Sequence, residues 1–127
     1  MNFEFRNGLI WLPVEIQYDG LIVRIDNCIL DTGSATTAID IDYIPFNYRK
    51  PAKIRRLFGV GDGTQEVVCQ RIDFIRLGND SIQNAEIEFG YFKSRIGISG
   101  FIGNDILSNF GVSIDFKNRN ISFAHSE

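Results

Sequence analysis

Hydrophobic and polar positions alternate in short runs punctuated by turn residues along almost the whole chain. Leu9 to Tyr18 predicts a strand, broken or edged at Pro13 because proline cannot donate to a sheet ladder. Asp19-Gly20 is a hairpin turn, and Leu21 to Asp26 returns with Leu21, Val23 and Ile25 on one face. Cys28 to Leu30 is an apolar strand that runs straight into Asp31. Thr36 to Ile44 fits either a strand or a short helix and is closed by Pro45, and Asn47 to Lys53 reads as a surface loop. Ile54 to Val60 and Gln65 to Ile75 flank Gly61-Asp62-Gly63 as a second hairpin. Gly78-Asn79-Asp80 turns into a strand over Ser81 to Phe89, with Ile87 and Phe89 on one face and Glu86 and Glu88 on the other. Tyr91 to Ser99 is irregular and polar.

The last part of the chain is patterned more sharply. Gly100-Phe101-Ile102-Gly103 sets an apolar pair between glycines. Asn104 is placed to cap a short helix from Asp105 to Asn109, whose acidic first turn suits the helix dipole. Val112 to Phe116 alternates, Lys117-Asn118-Arg119-Asn120 turns, and Ile121-Ser122-Phe123 comes back. Many short strands with one short helix predict an all-β barrel or sandwich.

Composition narrows this only a little. The chain has 127 residues, one domain's length, and 44% of them are hydrophobic, enough for a core. A net charge of -3 gives no reason to expect nucleic acid, and the basic cluster Arg49, Lys50, Lys53, Arg55, Arg56 reads as a solvated face. No apolar run approaches the ~20 residues of a membrane span. The start, Met1 to Arg6, lacks the basic and apolar regions of a signal peptide. The expectation is a cytoplasmic protein, or a domain of something longer, with no membrane partner. Cys28 and Cys69 fit no zinc spacing and are expected to be buried free thiols rather than a disulfide. The one histidine, His125, sits in the tail, so neither a His-based triad nor a zinc site can be built around it. No metal or other cofactor is expected.

Carboxylate chemistry remains. Leu30-Asp31-Thr32-Gly33-Ser34 carries a carboxylate from the end of an apolar strand into a tight loop with short donors, a setting suited to general acid/base work on water. The same order is also a sensible plain turn, since Asp and Thr bond their own backbone and glycine takes positive φ. Gly59-Val60-Gly61-Asp62-Gly63-Thr64 is a mobile lid or a plain hairpin tip; it lacks the Lys-Ser/Thr and following helix of a phosphate loop. No Tyr or Trp lies at that tip to offer a hydroxyl or indole donor. Asp105 and Asp115 are the candidates for a second carboxylate in the same chain, but neither follows an apolar strand into a loop as Asp31 does.

Three segments together carry a family resemblance: Ile29 to Thr37 around the aspartate, the glycine-rich hairpin Gly59 to Thr64, and Gly100 to Leu107 with the following Phe110 to Phe116. From about Leu9 to Phe123 the chain resembles the retropepsin-like aspartic proteases, the single-domain relatives of pepsin found in retroviruses and bacteria. The resemblance implies a small closed barrel with one short C-terminal helix, a single domain over residues 1–127, working as a homodimer. It implies catalysis by Asp31, with Thr32, Gly33 and Ser34 supporting the loop: Thr32 cross-bonding between subunits, Gly33 allowing close approach, and Ser34 reaching the outer carboxylate oxygen. It makes Gly59, Val60, Gly61, Asp62 and Gly63 the flap, and Phe101, Ile102 and Gly103 the cleft-lining or loop-supporting segment. The position of Asp105 is structural in that family. The implied activity is an aspartic endopeptidase in which one Asp31 from each subunit forms a dyad, and the substrate is an extended peptide. Apolar side pockets would favour hydrophobic residues flanking the cut, and the terminal hairpin from Val112 to Phe123 would help form the dimer. The alternative is a non-catalytic peptide-binding or dormant domain of the same fold.

Overall fold

A computed structural model describes residues 1–58, 64–91 and 97–125. Twelve strands and one short helix are present among them: β1 (Glu4–Arg6), β2 (Leu9–Tyr18), β3 (Leu21–Leu30), β4 (Ala38–Asp40), β5 (Lys53–Phe58), β6 (Thr64–Arg71), β7 (Phe74–Leu77), β8 (Asp80–Gln83), β9 (Glu86–Gly90), β10 (Gly100–Ile102), α1 (Asn104–Leu107), β11 (Phe110–Asp115) and β12 (Asn120–His125). The segment left open between strand and helix resolves into β4 followed by a single 3-10 turn, Ile41–Tyr43.

The longest element pair is the β2–β3 hairpin. Asp19 and Gly20 take φ of 46° and 85°, both positive, so the turn twists with the strands it joins. Pro13 does not break β2. The register instead shifts between Leu12 and Val14: Val14 pairs with Ile25 and Leu12 with Cys28, so two residues of β3, Asp26 and Asn27, stand opposite Pro13. Asn27 takes φ 63° to make this bulge. The bulge changes which alternate positions face inward. Ile25 and Cys28 are both fully buried although they are three apart, and the strand continues without a break into Asp31. A strand expected in two pieces is therefore one strand with a parity change just before the aspartate.

The sheet order is β5-β6-β9-β4-β10-β3-β2-β7-β8, with β1 paired to β2, and β11 pairs only with β12. The barrel is not closed: β5 and β8 stand at the two ends of this path with no register joining them among the described residues. Closure requires hydrogen-bond pairing all the way round. Here the sheet folds over one core instead, to which β2, β3, β7 and β9 contribute Ile16, Tyr18, Ile25, Ile75, Leu77, Ile87 and Phe89. The terminal hairpin closes that core with Ile121 and Phe123, and Met1 and Phe3 hydrogen-bond to its strand β12 and turn. Cys28 and Cys69 are buried and free.

Three expected elements differ in detail. Gln65 to Ile75, read as one run, divides into β6, which ends at Arg71 and pairs with β9, and β7, which begins at Phe74 and pairs with β2. The strand over Ser81 to Phe89 is split by a turn at Asn84, φ 55°, into β8 and β9. Within β9 the alternation holds for Ile87, Phe89 and the exposed Glu86, but Glu88 is buried under Arg55. The helix spans Asn104–Leu107 rather than Asp105 to Asn109, and Gly103, not Asn104, is its N-cap.

Candidate active site

Strand β10 lies between the two strands that flank the aspartate loop. It runs parallel to β3, pairing Gly100 with Cys28 and Ile102 with Leu30, and antiparallel to β4, pairing Gly100 with Ile39. The last rung continues into the loop itself, where the Asp31 N–H donates to the Ile102 carbonyl at 2.9 Å. Gly103 then passes through the mouth of the loop. A Cβ there would stand 2.3 Å from the Thr36 carbonyl oxygen and 2.9 Å from that of Ser34, so no other residue fits without moving backbone. Gly100 is similarly constrained: a Cβ would lie 2.7 Å from Ile39 Cδ1 and 2.9 Å from the Ala38 carbonyl oxygen.

Helix α1 has no side-chain cap because its first N–H groups are spent on the loop. Asn104 N donates to the Ser34 carbonyl at 2.8 Å and Asp105 N to the Ala35 carbonyl at 3.2 Å. The side chains add a second layer. Asn104 Nδ2 donates to the Thr32 carbonyl at 2.8 Å. Thr37, fully buried, donates through its N–H (3.0 Å) and its hydroxyl (2.7 Å) to the Asp105 carboxylate, and its hydroxyl oxygen accepts from Gly103 N at 2.9 Å. Each of these bonds contributes about 1 kcal/mol net, more for those to the carboxylate. Together they hold the loop at the Thr32, Ser34 and Ala35 carbonyls and at the Thr37 N–H.

The Asp31 side chain is half-buried, and Gly33 N donates to its Oδ1 at 3.0 Å. A Cβ on Gly33 would crowd that same oxygen at 3.2 Å. Thr32 is exposed, and its side chain makes no hydrogen bond among the described residues. Ser34 departs from its expected role: its hydroxyl donates to the Thr36 carbonyl at 2.7 Å and braces the loop from within, rather than reaching the Asp31 carboxylate. Phe101 is half-buried beside Trp11, Ile29 and Ile98, while Ile102 and Gly103 are buried. The flap residues Gly59, Val60, Gly61, Asp62 and Gly63 lie outside the described residues; β5 and β6, which lead to them, pair as far as Phe58 with Thr64.

Asp105 and Asp115 are both committed elsewhere. Asp105 serves Thr37 and the Ile106 N–H. Asp115 is exposed and accepts from the N–H and side-chain amide of Asn118, which hold its carboxyl below the usual range. His125 stacks on Phe110 at the end of the terminal hairpin. No group of three or more His, Cys, Asp or Glu among the described residues is placed to hold a metal.

Sequence reasoning missed three contributors. Thr37 and Asn104 lie inside motifs already singled out, but a motif does not say which hydroxyl or amide turns inward. Glu88 alternates with Ile87 and Phe89, which gives no sign that its side chain is buried. Its Oε1 meets Arg55 at 3.3 Å, and its Oε2 is buried with no hydrogen-bond partner among the described residues. An acceptor left in that state costs about 1–3 kcal/mol.

An all-β fold that threads a glycine through an Asp-Thr-Gly loop defines a retropepsin-like domain. A family model described as retroviral aspartyl protease matches residues 6–115, and the chain belongs to that family. Polyprotein P3 of Commelina yellow mottle virus is 37% identical over 70 residues, covering 52% of this chain; the chain spans only 4% of that polyprotein's length. The fold is similar to a retropepsin-like aspartic protease from Rickettsia conorii, with a TM-score of 0.67 at 17% identity, covering 97% of this chain and 88% of that one. It is also similar to the retroviral protease-like domain of Ddi1 from Leishmania major, with a TM-score of 0.54 at 19% identity and 94% of both chains covered.

Proposed function

We propose that the protein is an aspartic endopeptidase that works as a homodimer, with Asp31 of each subunit activating one water between them. The observation that carries this is the loop itself. A single Asp-Thr-Gly loop is held at its backbone by β10 and α1, while its half-buried carboxylate accepts only from the Gly33 N–H among the described residues. Hydrolysis of a peptide by water needs one group to accept a proton from the water and another to donate one to the carbonyl. Two carboxylates held together supply both, because they cannot both ionise; one stays protonated, and the pair titrates as a unit. The intrachain candidates Asp105 and Asp115 are engaged elsewhere, which favours a second copy of Asp31 as the partner. A two-fold axis near the loops would set the same patch of each subunit against itself. It would bring Thr32, exposed and without a side-chain bond, against its symmetry mate. The substrate is an extended peptide lying between the loops and under the hairpins, bonded through its backbone.

The test compares the purified protein with Asp31→Asn on a denatured protein substrate at acid and neutral pH, together with sedimentation. Expected are a dimer and a loss of cleavage of at least about a hundredfold in the variant. Equal cleavage by both proteins, or full activity in a strict monomer, overturns the proposal.

A further inference from the structure

A cavity of about 200 Å³ abuts the aspartate loop, lined among others by Thr36, Arg55, Cys69, Glu86, Glu88 and Asp105. Its position follows from the backbone: the Glu88 N–H donates to the Thr37 carbonyl at 3.0 Å, beside the anchor that holds the loop to α1, and Arg55 reaches in from β5, the strand that leads to the flap. Three carboxylates face one guanidinium there. Asp105 is saturated by Thr37 and Ile106, and Glu86 stands 4.0 Å from both Arg55 and Arg71. Glu88 is different. It is 2% exposed, Arg55 meets its Oε1, and its Oε2 has no donor among the described residues. The Arg55 side chain is 48% exposed and is held at its tip, so it can yield toward solvent when something enters.

We infer that this cavity is a side-chain subsite of the peptide cleft, selective for a lysine or arginine of the substrate, with Glu88 as the specificity-determining residue. The inference rests on the peptide-cleft reading above. A buried carboxylate oxygen without a donor is the acceptor that an incoming ammonium or guanidinium completes, and the excess negative charge of the lining disfavours an acidic side chain. An apolar side chain would leave the oxygen unsatisfied. The subsite therefore departs from the purely apolar pockets that composition suggests.

Binding separates this idea from catalysis. The Asp31→Asn protein is titrated with extended peptides of about nine residues, in which a single lysine replaces norleucine at each position in turn. At one position lysine should bind about tenfold tighter than norleucine. Acetylating that lysine should remove the preference with no change to the protein. Glu88→Gln, which keeps the shape and loses the charge, should shrink the preference to less than about twofold. Peptide binding with no lysine preference at any position, or a preference that survives acetylation, overturns the subsite and leaves the cleft standing. Binding of none of the peptides overturns the cleft reading and the subsite with it.

Discussion

Asn104 donates its side-chain amide to the backbone carbonyl of Thr32 at 2.8 Å, joining the first residue of α1 to the loop 72 positions earlier. The residue that looks like a helix cap is instead a clamp on the residue after the catalytic candidate. Asn104→Ala removes one hydrogen bond on an exposed surface and should cost only about 1 kcal/mol of stability. Turnover should suffer more than stability, because a displacement near 1 Å at a reacting group is expensive. Peptide cleavage with kcat and KM resolved is the check: kcat should fall while KM moves little, and the unfolding midpoint should stay close to wild type.

Gly103→Ala tests the close crossing of β10 and the loop. Its Cβ would meet the Thr36 carbonyl at 2.3 Å, and backbone on both sides must shift to admit it. We expect a loss of about 3 kcal/mol in denaturant unfolding. Gly111→Ala is the control: its nearest obstacle, the Ala124 carbonyl oxygen, is 3.7 Å away, and it should change stability little.

Thr37→Val probes the buried hydroxyl that bridges Gly103 and Asp105. Valine keeps the shape but leaves the Gly103 N–H without an acceptor and removes one donor from the Asp105 carboxylate. A loss of about 2–3 kcal/mol should follow. The double variant Thr37→Val with Asp105→Asn should cost less than the sum of the two singles, because both act on the bond between the Thr37 hydroxyl and the Asp105 carboxylate.

Cys28 gives a pH signature. Burial, with a smaller contribution from Asp26, pushes its thiol from 9.0 up to about 12. The fold therefore favours the neutral thiol. That stability is fully present below pH 9, where the thiol is protonated in the unfolded chain too, and is lost as pH rises toward 12. Between pH 9 and 10, wild type should lose about 1 kcal/mol relative to Cys28→Ala. At pH 8, iodoacetamide should spare Cys28 in the native protein and label it after denaturation, as read by mass spectrometry.

Much of this protein is local and therefore legible in one dimension. Asp19-Gly20 announces a hairpin because positive φ is a property of those residues, and the alternation of Val112 to Phe116 announces a strand because the pleat has period two. Asp31-Thr32-Gly33 marks a carboxylate loop for the same reason, since its donors come from its own neighbours.

What sequence could not supply depends on residues far apart in the chain. The continuity of β3 rests on a bulge opposite Pro13, which is visible only once the partner strand is in register. The open edges of the sheet follow from which strands find each other, not from any one strand's pattern. Asn104 has two possible uses for its amide, as a cap or as a clamp, and the position of Thr32 selects between them. Glu88 alternates like a surface residue, yet β5 and the loop close over it. By itself the sequence determined most of the strands and turns and singled out the Asp31 loop, because both are written in nearest-neighbour chemistry. The tertiary structure alone decided what braces that loop and what lies beside it, because those are consequences of packing.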